Sequence, residues 1–409
     1  MTPEAPHPMR VLAVDDEAFQ LKLLTRQLAR LDIHDVTACT DAGEALALVR
    51  EDPRRFGLIC CDLQMPDMDG VEFVRHLGDL KYPGSVVLIS GEDDRTLHAA
   101  ERLARAHALR VLGALHKPVS SEQLRQAIAA SSAARLAPHP RAPQRSYGAA
   151  EVRAAIERNE LTNHYQPQVE LATGRVVGVE TLVRWEHPQD GLVFPDRFVQ
   201  VAEENGLIDN LTRAVLAGLN GALHQARVWQ DAGLSLQVSV NVSMDNLTDH
   251  GFPGFVADAV AQAGVPPSLL VLEVTETRLM KDPVATLDIL TRLRLTRVRL
   301  SIDDFGTGHS SLSQLRDVPF DELKVDRGFV HRAWCDEGLR AILKPSLEMA
   351  RQLGIRTVAE GVEDLDDWRF LRASRCDLAQ GYFIARPMPA AKLTEWLVDW
   401  EARRGDLLA

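Results

Sequence analysis

The sequence predicts two α/β modules in series: a small doubly wound (βα)5 domain, then a larger (β/α)8, TIM-barrel-like domain. Length is the first reason. At 409 residues the chain exceeds one ordinary domain, and an α/β barrel takes about 250 residues by itself. The second reason is alternation of short apolar strands with amphipathic helical stretches along the whole chain. The third is one break in that alternation. The stretch "SSAARLAPHPRAPQRSYGAA", Ser131 to Ala150, is rich in Ala, Pro, Arg and Ser, has no sustained period, and reads as a proline-stiffened linker. Its other reading is a frayed helix end. The expected boundaries are 8–129 for the first domain, 130–149 for the linker and 150–405 for the second.

In the first module the expected strands are Val11–Val14, Val36–Ala38, Leu58–Cys61, Val86–Ile89 and Val111–Ala114, with helical stretches such as "AFQLKLLTRQLARL" between them. Polar residues stand just past the strand ends: Asp15 and Asp16, Asp62, Ser90 and Lys117. In an open parallel sheet, chemistry sits outside the carboxyl ends of the strands. A carboxylate can accept a phosphoryl group. Two further acids can hold a hard cation, and a hydroxyl and a lysine can receive the new phosphoryl oxygens. One acid at a strand end can equally be a helix N-cap; the ordered set of five is harder to explain that way.

This set, with "DLQMPDMDG", resembles the receiver domain of response regulators. The resemblance implies phosphorylation of Asp62 by a cognate sensor histidine kinase, one Mg2+ on Asp15 and Asp16, and phosphoryl sensing by Ser90 and Lys117. One position departs from the pattern. Receivers often carry an aromatic switch residue three positions before the lysine, where this chain has Ala114.

In the second module the expected strands are His164–Leu171, Val176–Val183, Leu236–Val242, Leu269–Thr275, Arg297–Asp303, Leu323–Val325, Thr357–Ala359 and Ala379–Ile384. Their carboxyl ends carry Glu180, Asn241, Glu273, the pair Asp303 and Asp304, Lys324, Glu360 and Gln380. A barrel builds its active site on that rim. Strand parity puts Glu180, Leu182 and Arg184 on one face, and Lys324 and Asp326 on another. A carboxylate, an apolar contact and a guanidinium suit a flat base with an adjacent phosphate.

A single buried acid is commonly half of a structural ion pair. So many acids and amides converging on one lysine need cations, because an uncompensated buried charge costs several kcal/mol. Oxygen ligands select Mg2+ or Mn2+ over zinc, and no histidine stands at these positions. Two such ions sharing a carboxylate form a clamp for in-line attack of water on a phosphodiester. Lys324 could hold or deprotonate that water.

The stretches "ETLVR", "NVS", "EVTET", "DDFGTGHSSL", "KVDR", "AEGVE" and "AQGYFIARPM" resemble the EAL-domain phosphodiesterases, which hydrolyse cyclic di-GMP to linear pGpG. With the first module, the chain is similar to receiver–EAL response regulators. The resemblance implies two Mg2+ or Mn2+ per site. Glu180, Asn241, Glu273 and Asp303 would hold one, and Asp303, Asp304 and Glu360 the other. Lys324 and Gln380 would act on the water. Gln166, Leu182, Arg184 and Asp326 would contact substrate, and Glu276 would anchor the loop after Asp304. The triplet reads Glu-Thr-Leu where Glu-Ala-Leu is usual, a change expected to be nearly silent because Thr181 faces away from Glu180. His309 stands where a tyrosine is common.

Composition narrows the function classes. The chain has 45% apolar and 25% charged residues, normal for a globular protein. Its 46 Lys and Arg against 58 Asp and Glu leave a net charge of −12, which argues against DNA as a partner. No apolar run approaches the roughly 18 residues of a membrane span. The first ten residues lack an apolar signal core. Five cysteines without a C-x-x-C pair read as reduced thiols. The expectation is a cytoplasmic homo-oligomer with no membrane partner. Two other readings stay open: a degenerate barrel that binds the dinucleotide without cutting it, and a phosphorylation-driven interaction module.

Overall fold

The computed structural model describes residues 9–92, 94–136, 145–275, 283–306, 315 and 318–408. The chain divides into two compact units after Gln144. No helix among the described residues is long and apolar enough to cross a membrane.

The first unit is built on five parallel strands: β1 (Val11–Val14), β2 (Val36–Cys39), β3 (Leu58–Asp62), β4 (Ser85–Ser90) and β5 (Arg110–His116). They lie in the order β2-β1-β3-β4-β5. Unbroken apolar runs form these strands because both faces are covered. Leu12, Val14, Ile59, Cys61 and Leu88 pack with Leu46, Phe73 and Leu77 on one side. Val11, Ala13, Leu58, Cys60 and Val87 pack with Leu21, Leu24, Leu28 and Leu124 on the other. The strand order reverses direction at β1 and β3, so their carboxyl ends open the crevice of the sheet. The helix Ser121–Leu136 continues beyond residue 129, so the start of the expected linker is helical.

The second unit is a barrel. Its strands are β6 (Leu161–Glu170), β7 (Val176–His187), β8 (Gly191–Val193), β9 (Gln237–Val242), β10 (Leu270–Thr275), β11 (Arg299–Phe305), β12 (Glu322–Val325), β13 (Arg356–Ala359), β14 (Leu378–Ala379) and β15 (Met388–Pro389). The sheet runs β15-β6-β14-β13-β12-β11-β10-β9-β7-β8, and pairing of β6 with β7 closes it.

Two features correct the strict (β/α)8 expectation. First, β6 is antiparallel to both β7 and β14. Only "LATGR" separates β6 from β7, too short for a parallel crossover, which needs about a dozen residues. Gly174 takes a left-handed φ of 67° in that hairpin. Second, the eighth strand is Leu378–Ala379, not Ala379–Ile384. A Cβ on Gly381 would lie 2.2 Å from the Val362 carbonyl oxygen. The chain crosses the neighbouring backbone there and turns, with Ile384 N–H donating to the Gly381 carbonyl.

Outside the barrel, large aromatics seal helices onto the sheet. Trp185, Trp368, Trp400, Phe198 and Phe252 are fully buried. Trp368 lies 6.2 Å from both Trp400 and Phe383, and its indole N–H donates to the Leu407 carbonyl at 3.3 Å. Replacing Trp368 by Ala should destabilise the barrel by about 3–5 kcal/mol. Urea unfolding followed by tryptophan fluorescence checks this; an unmoved barrel transition would show the packing to be dispensable.

Candidate active site

The barrel's inward positions place the rim residues within reach of one another. Alternation along β12 turns Glu322 and Lys324 to the same side. Lys324 has no solvent exposure, and its ammonium lies 2.7 Å from Glu360, 2.9 Å from Glu273, 3.2 Å from Asp303 and 3.4 Å from Glu180. Acids from four other strand ends thus meet on a single cation. Asn241 Nδ2 donates to the other Glu180 oxygen at 3.1 Å.

Asp303 and Asp304 both face this site because β11 departs from regular geometry. The strand continues to Phe305, but its register against β12 shifts between Ile302 and Phe305. Asp304 takes φ of 56°, a left-handed conformation that aspartate adopts more readily than most residues. Asp304 N–H donates to the Asp303 carboxylate at 3.0 Å. The expected strand ends at Asp303; β11 instead runs on through Asp304 to Phe305, with Asp304 as its irregular residue. One carboxylate oxygen each from Asp303, Asp304 and Glu360 lies within 4.8 Å of the others.

Amides orient the acids from below. Gln380 Nε2 donates to Glu180, and to Gln166 Oε1 at 3.0 Å. Gln168 Nε2 donates to Gln380 Oε1 at 3.0 Å. Gln166 Nε2 donates to the Ala385 carbonyl at 3.0 Å. Gln166, expected to touch substrate, is buried and takes part in this relay. Gln168 was not foreseen; its signal was the shared parity with Gln166 on one strand.

Arg184 is buried, donates to the Val183 carbonyl at 2.9 Å, and lies over the Phe194 ring at 4.9 Å. Asp326 caps the short helix Arg327–Val330, accepting from Gly328 N–H at 2.8 Å. Beside the rim opens a cavity of about 820 Å³ whose walls include Leu182, Pro195, Asp196, Glu203 and Asn241. Thr181, expected to be silent, also lines it, and its hydroxyl is buried without a partner. Glu276 and His309 lie outside the described residues.

The electrostatics follow from burial. Desolvation raises Glu273 well above the usual carboxylate range, against the pull of Lys324. Desolvation likewise pushes Glu360 up to about 8, again against Lys324. Asp304 is raised by burial and by Asp303. Burial alone would lower Lys324, but Asp303, Glu180, Glu273 and Glu360 hold it well above the ordinary lysine value. The acids outnumber this one ammonium. Glu273 Oε1 is buried with no hydrogen-bond partner. An all-oxygen donor set with such an orphaned atom fits a hard divalent cation.

The first unit shows a related arrangement. Lys117 Nζ lies 2.7 Å from Asp62 and 2.8 Å from Asp15. The second Asp62 oxygen, Oδ1, is buried and unpartnered. Asp15, Asp16 and Asp62 each offer an oxygen within 4.8 Å of the others. Burial raises Asp62 against the opposing Lys117. Ser90 is fully buried, and its hydroxyl accepts from Glu92 N–H at 3.0 Å. Ala114, at the expected switch position, packs against the core on one face of the sheet.

Comparison with known proteins agrees with this architecture. Residues 149–387 match the EAL domain family and residues 11–129 the response regulator receiver domain. Cyclic di-GMP phosphodiesterase RocR of Pseudomonas aeruginosa is 32% identical, over 93% of this chain and 96% of RocR. The bifunctional diguanylate cyclase/cyclic di-GMP phosphodiesterase MucR of the same species is 42% identical over 59% of this chain, which spans only 35% of MucR. The solved structure of the MucR phosphodiesterase in complex with c-di-GMP superposes with a TM-score of 0.57 at 42% identity, covering 60% of this chain and 98% of that one. This chain belongs to the EAL domain family and carries a response regulator receiver domain ahead of its EAL domain.

Proposed function

We propose that the barrel hydrolyses cyclic di-GMP to linear pGpG and that phosphorylation of Asp62 modulates this activity. The observation that carries the reading is the convergence of Glu180, Glu273, Asp303 and Glu360 on buried Lys324. Two divalent cations, held by Glu180, Asn241, Glu273 and Asp303 and by Asp303, Asp304 and Glu360, would activate the attacking water and neutralise phosphoryl charge.

The protein's own groups do the rest. Water attacks one phosphorus, the bond to the 3′ oxygen breaks, and the leaving oxygen takes a proton. Lys324 is held protonated by its carboxylate neighbours. Its part is to orient the water and stabilise phosphoryl charge rather than to remove the proton. Gln380, fixed by Gln166 and Gln168, keeps Glu180 in place. The cavity beside the rim, about 820 Å³ in volume, has room for a purine. Asp196 and Glu203 on its wall suit the N–H donors on the edge of guanine. Arg184 at the same end of β7 suits a phosphate. In the receiver, a sensor histidine kinase would supply the phosphoryl group that Asp62 accepts beside Lys117.

Replacing Lys324 by Ala should lower kcat by about 10²–10³-fold, read as pGpG production from cyclic di-GMP by chromatography. Wild-type turnover in that variant would sink the assigned role.

A pH dependence follows from Glu360. A carboxylate raised to about 8 is mostly protonated below that pH, and the proton competes with the cation. Activity should therefore rise with pH toward that value. More Mg2+ should move the acidic limb to lower pH. Rate profiles at two Mg2+ concentrations decide it: a limb that ignores Mg2+ would contradict the assignment.

Acetyl phosphate should change the turnover of the wild-type chain severalfold and leave Asp62→Ala at its basal rate. Equal responses in both proteins would remove Asp62 from control.

A further inference from the structure

We infer that Asp367 and His331 are positioning residues, forming a clamp that holds the loop after Glu360 against the loop after Lys324. The inference rests on the phosphodiesterase reading for its effect on turnover, but its geometry stands independently.

Glu360 and Lys324 sit at the ends of neighbouring strands. The β12–β13 ladder ends with Val325 opposite Ala359, and Glu360 N–H makes one more bond, to the Val325 carbonyl at 3.0 Å. Beyond that point the sheet no longer ties the two segments. One leads through Asp326 and the short helix Arg327–Val330 to His331 and Arg332. The other leads through Gly361, Val362 and Glu363 to the helix Leu365–Ala373.

Asp367 lies in the first turn of that helix, and its side chain has no solvent exposure. It accepts hydrogen bonds from both segments. His331 Nδ1 lies 2.8 Å from Oδ2 and Arg332 N–H donates to Oδ1 at 2.9 Å, both from the Lys324 side. Glu363 N–H donates to Oδ2 at 3.2 Å from the Glu360 side. With an acceptor at Nδ1, the His331 ring carries its proton there. The opposite ring nitrogen, Nε2, lies 3.7 Å from the Glu363 carboxylate.

Two further contacts reinforce the join. Arg327 pairs with Glu363 at 2.5 Å. The Arg327 side chain also lies across Gly361, where a Cβ would meet it at 2.2 Å. Gly361 has φ of 65° and Arg332 φ of 66°. A left-handed arginine is disfavoured in isolation, and the bond from its N–H to Asp367 helps hold it so.

His331, Asp364 and Asp367 also offer atoms within 4.8 Å of one another, as a metal site would. Their hydrogen bonds argue otherwise. Both Asp367 oxygens accept from N–H groups, and Asp364 accepts from Asp367 N–H at 2.8 Å. The cluster is satisfied without a cation, and a buried carboxylate so bonded acts as a fixed post between two loops. Its effect reaches Glu360 through the segment it fixes at Glu363 N–H, three residues on; groups bonded directly behind metal ligands control metal affinity by about 10–100-fold, which bounds the effect from above.

The test is an Mn2+ titration of the full chain followed by electron paramagnetic resonance, every protein carrying Asp15→Asn and Asp16→Asn so that the receiver's acids do not contribute, alongside kcat and KM on cyclic di-GMP and thermal unfolding. Asp367→Ala and His331→Ala should each raise the Mn2+ concentration for half-saturation severalfold, by no more than about 100-fold, and lower kcat, with KM within about twofold of wild type. His331→Asn, whose amide N–H occupies the place of Nδ1 and can still donate to Asp367, should restore most of the loss. If Asp367→Ala does not fold, the two His331 variants decide the matter. Wild-type Mn2+ binding in folded His331→Ala and Asp367→Ala would overturn the clamp. Mn2+ binding by a wild-type chain that yields no pGpG would overturn the phosphodiesterase reading and leave the clamp to be judged by the Mn2+ curves alone.

Discussion

The barrel is organised around one buried ammonium. Lys324 is wholly enclosed and lies within 3.4 Å of carboxylates from β7, β10 and β11 and from the residue after β13. A lysine or an acid buried alone would give up its charge, because desolvation costs several kcal/mol per ion. Here the carboxylates hold Lys324 charged, and they outnumber it. Burial, with the neighbouring acids adding to it, keeps Glu360 and Glu273 raised, and an oxygen-rich site of this kind fits a dication. The charge imbalance that burdens the fold is the property on which the proposed phosphodiester chemistry would draw.

Geometry follows from this constraint. Carboxylates that repel one another stay put only if other groups bind their remaining oxygens. Asn241 and Gln380 hold Glu180, with Gln166 and Gln168 behind Gln380. Farther out, Asp367 collects the loops that follow Lys324 and Glu360. The site is thus supported in layers, from amides inside the barrel to a carboxylate clamp outside it. The receiver repeats the motif on a smaller scale, with Lys117 between Asp15 and Asp62.

Much of this was legible in the sequence. Period-two alternation located most strands, and inward polar residues in or just past those apolar runs pointed to the cluster around Lys324. Pairs that depend on residues far apart in the chain were harder to see. The hydrogen bonds of Gln166 to Gln380 and Ala385, more than 200 positions away, had no local signal. Asp367 and His331 sit in ordinary polar stretches, and nothing local marks them as partners. The reversal of β6 was written in the shortness of "LATGR", but an eight-strand count hid it.

The sequence by itself determined the two modules, the polar residues at and near the strand ends and the family, since periodicity, isolated acids in apolar runs and contiguous motifs are local properties of the chain. Tertiary structure alone decided which acids share Lys324, that adjacent Asp303 and Asp304 face one site, and that Asp367 joins two loops. The physical reason is the same in each case. Closing the barrel brings distant strand ends to within a few ångströms of one another, and at Asp304 a single left-handed residue overrides the alternation on which any reading of the sequence relies.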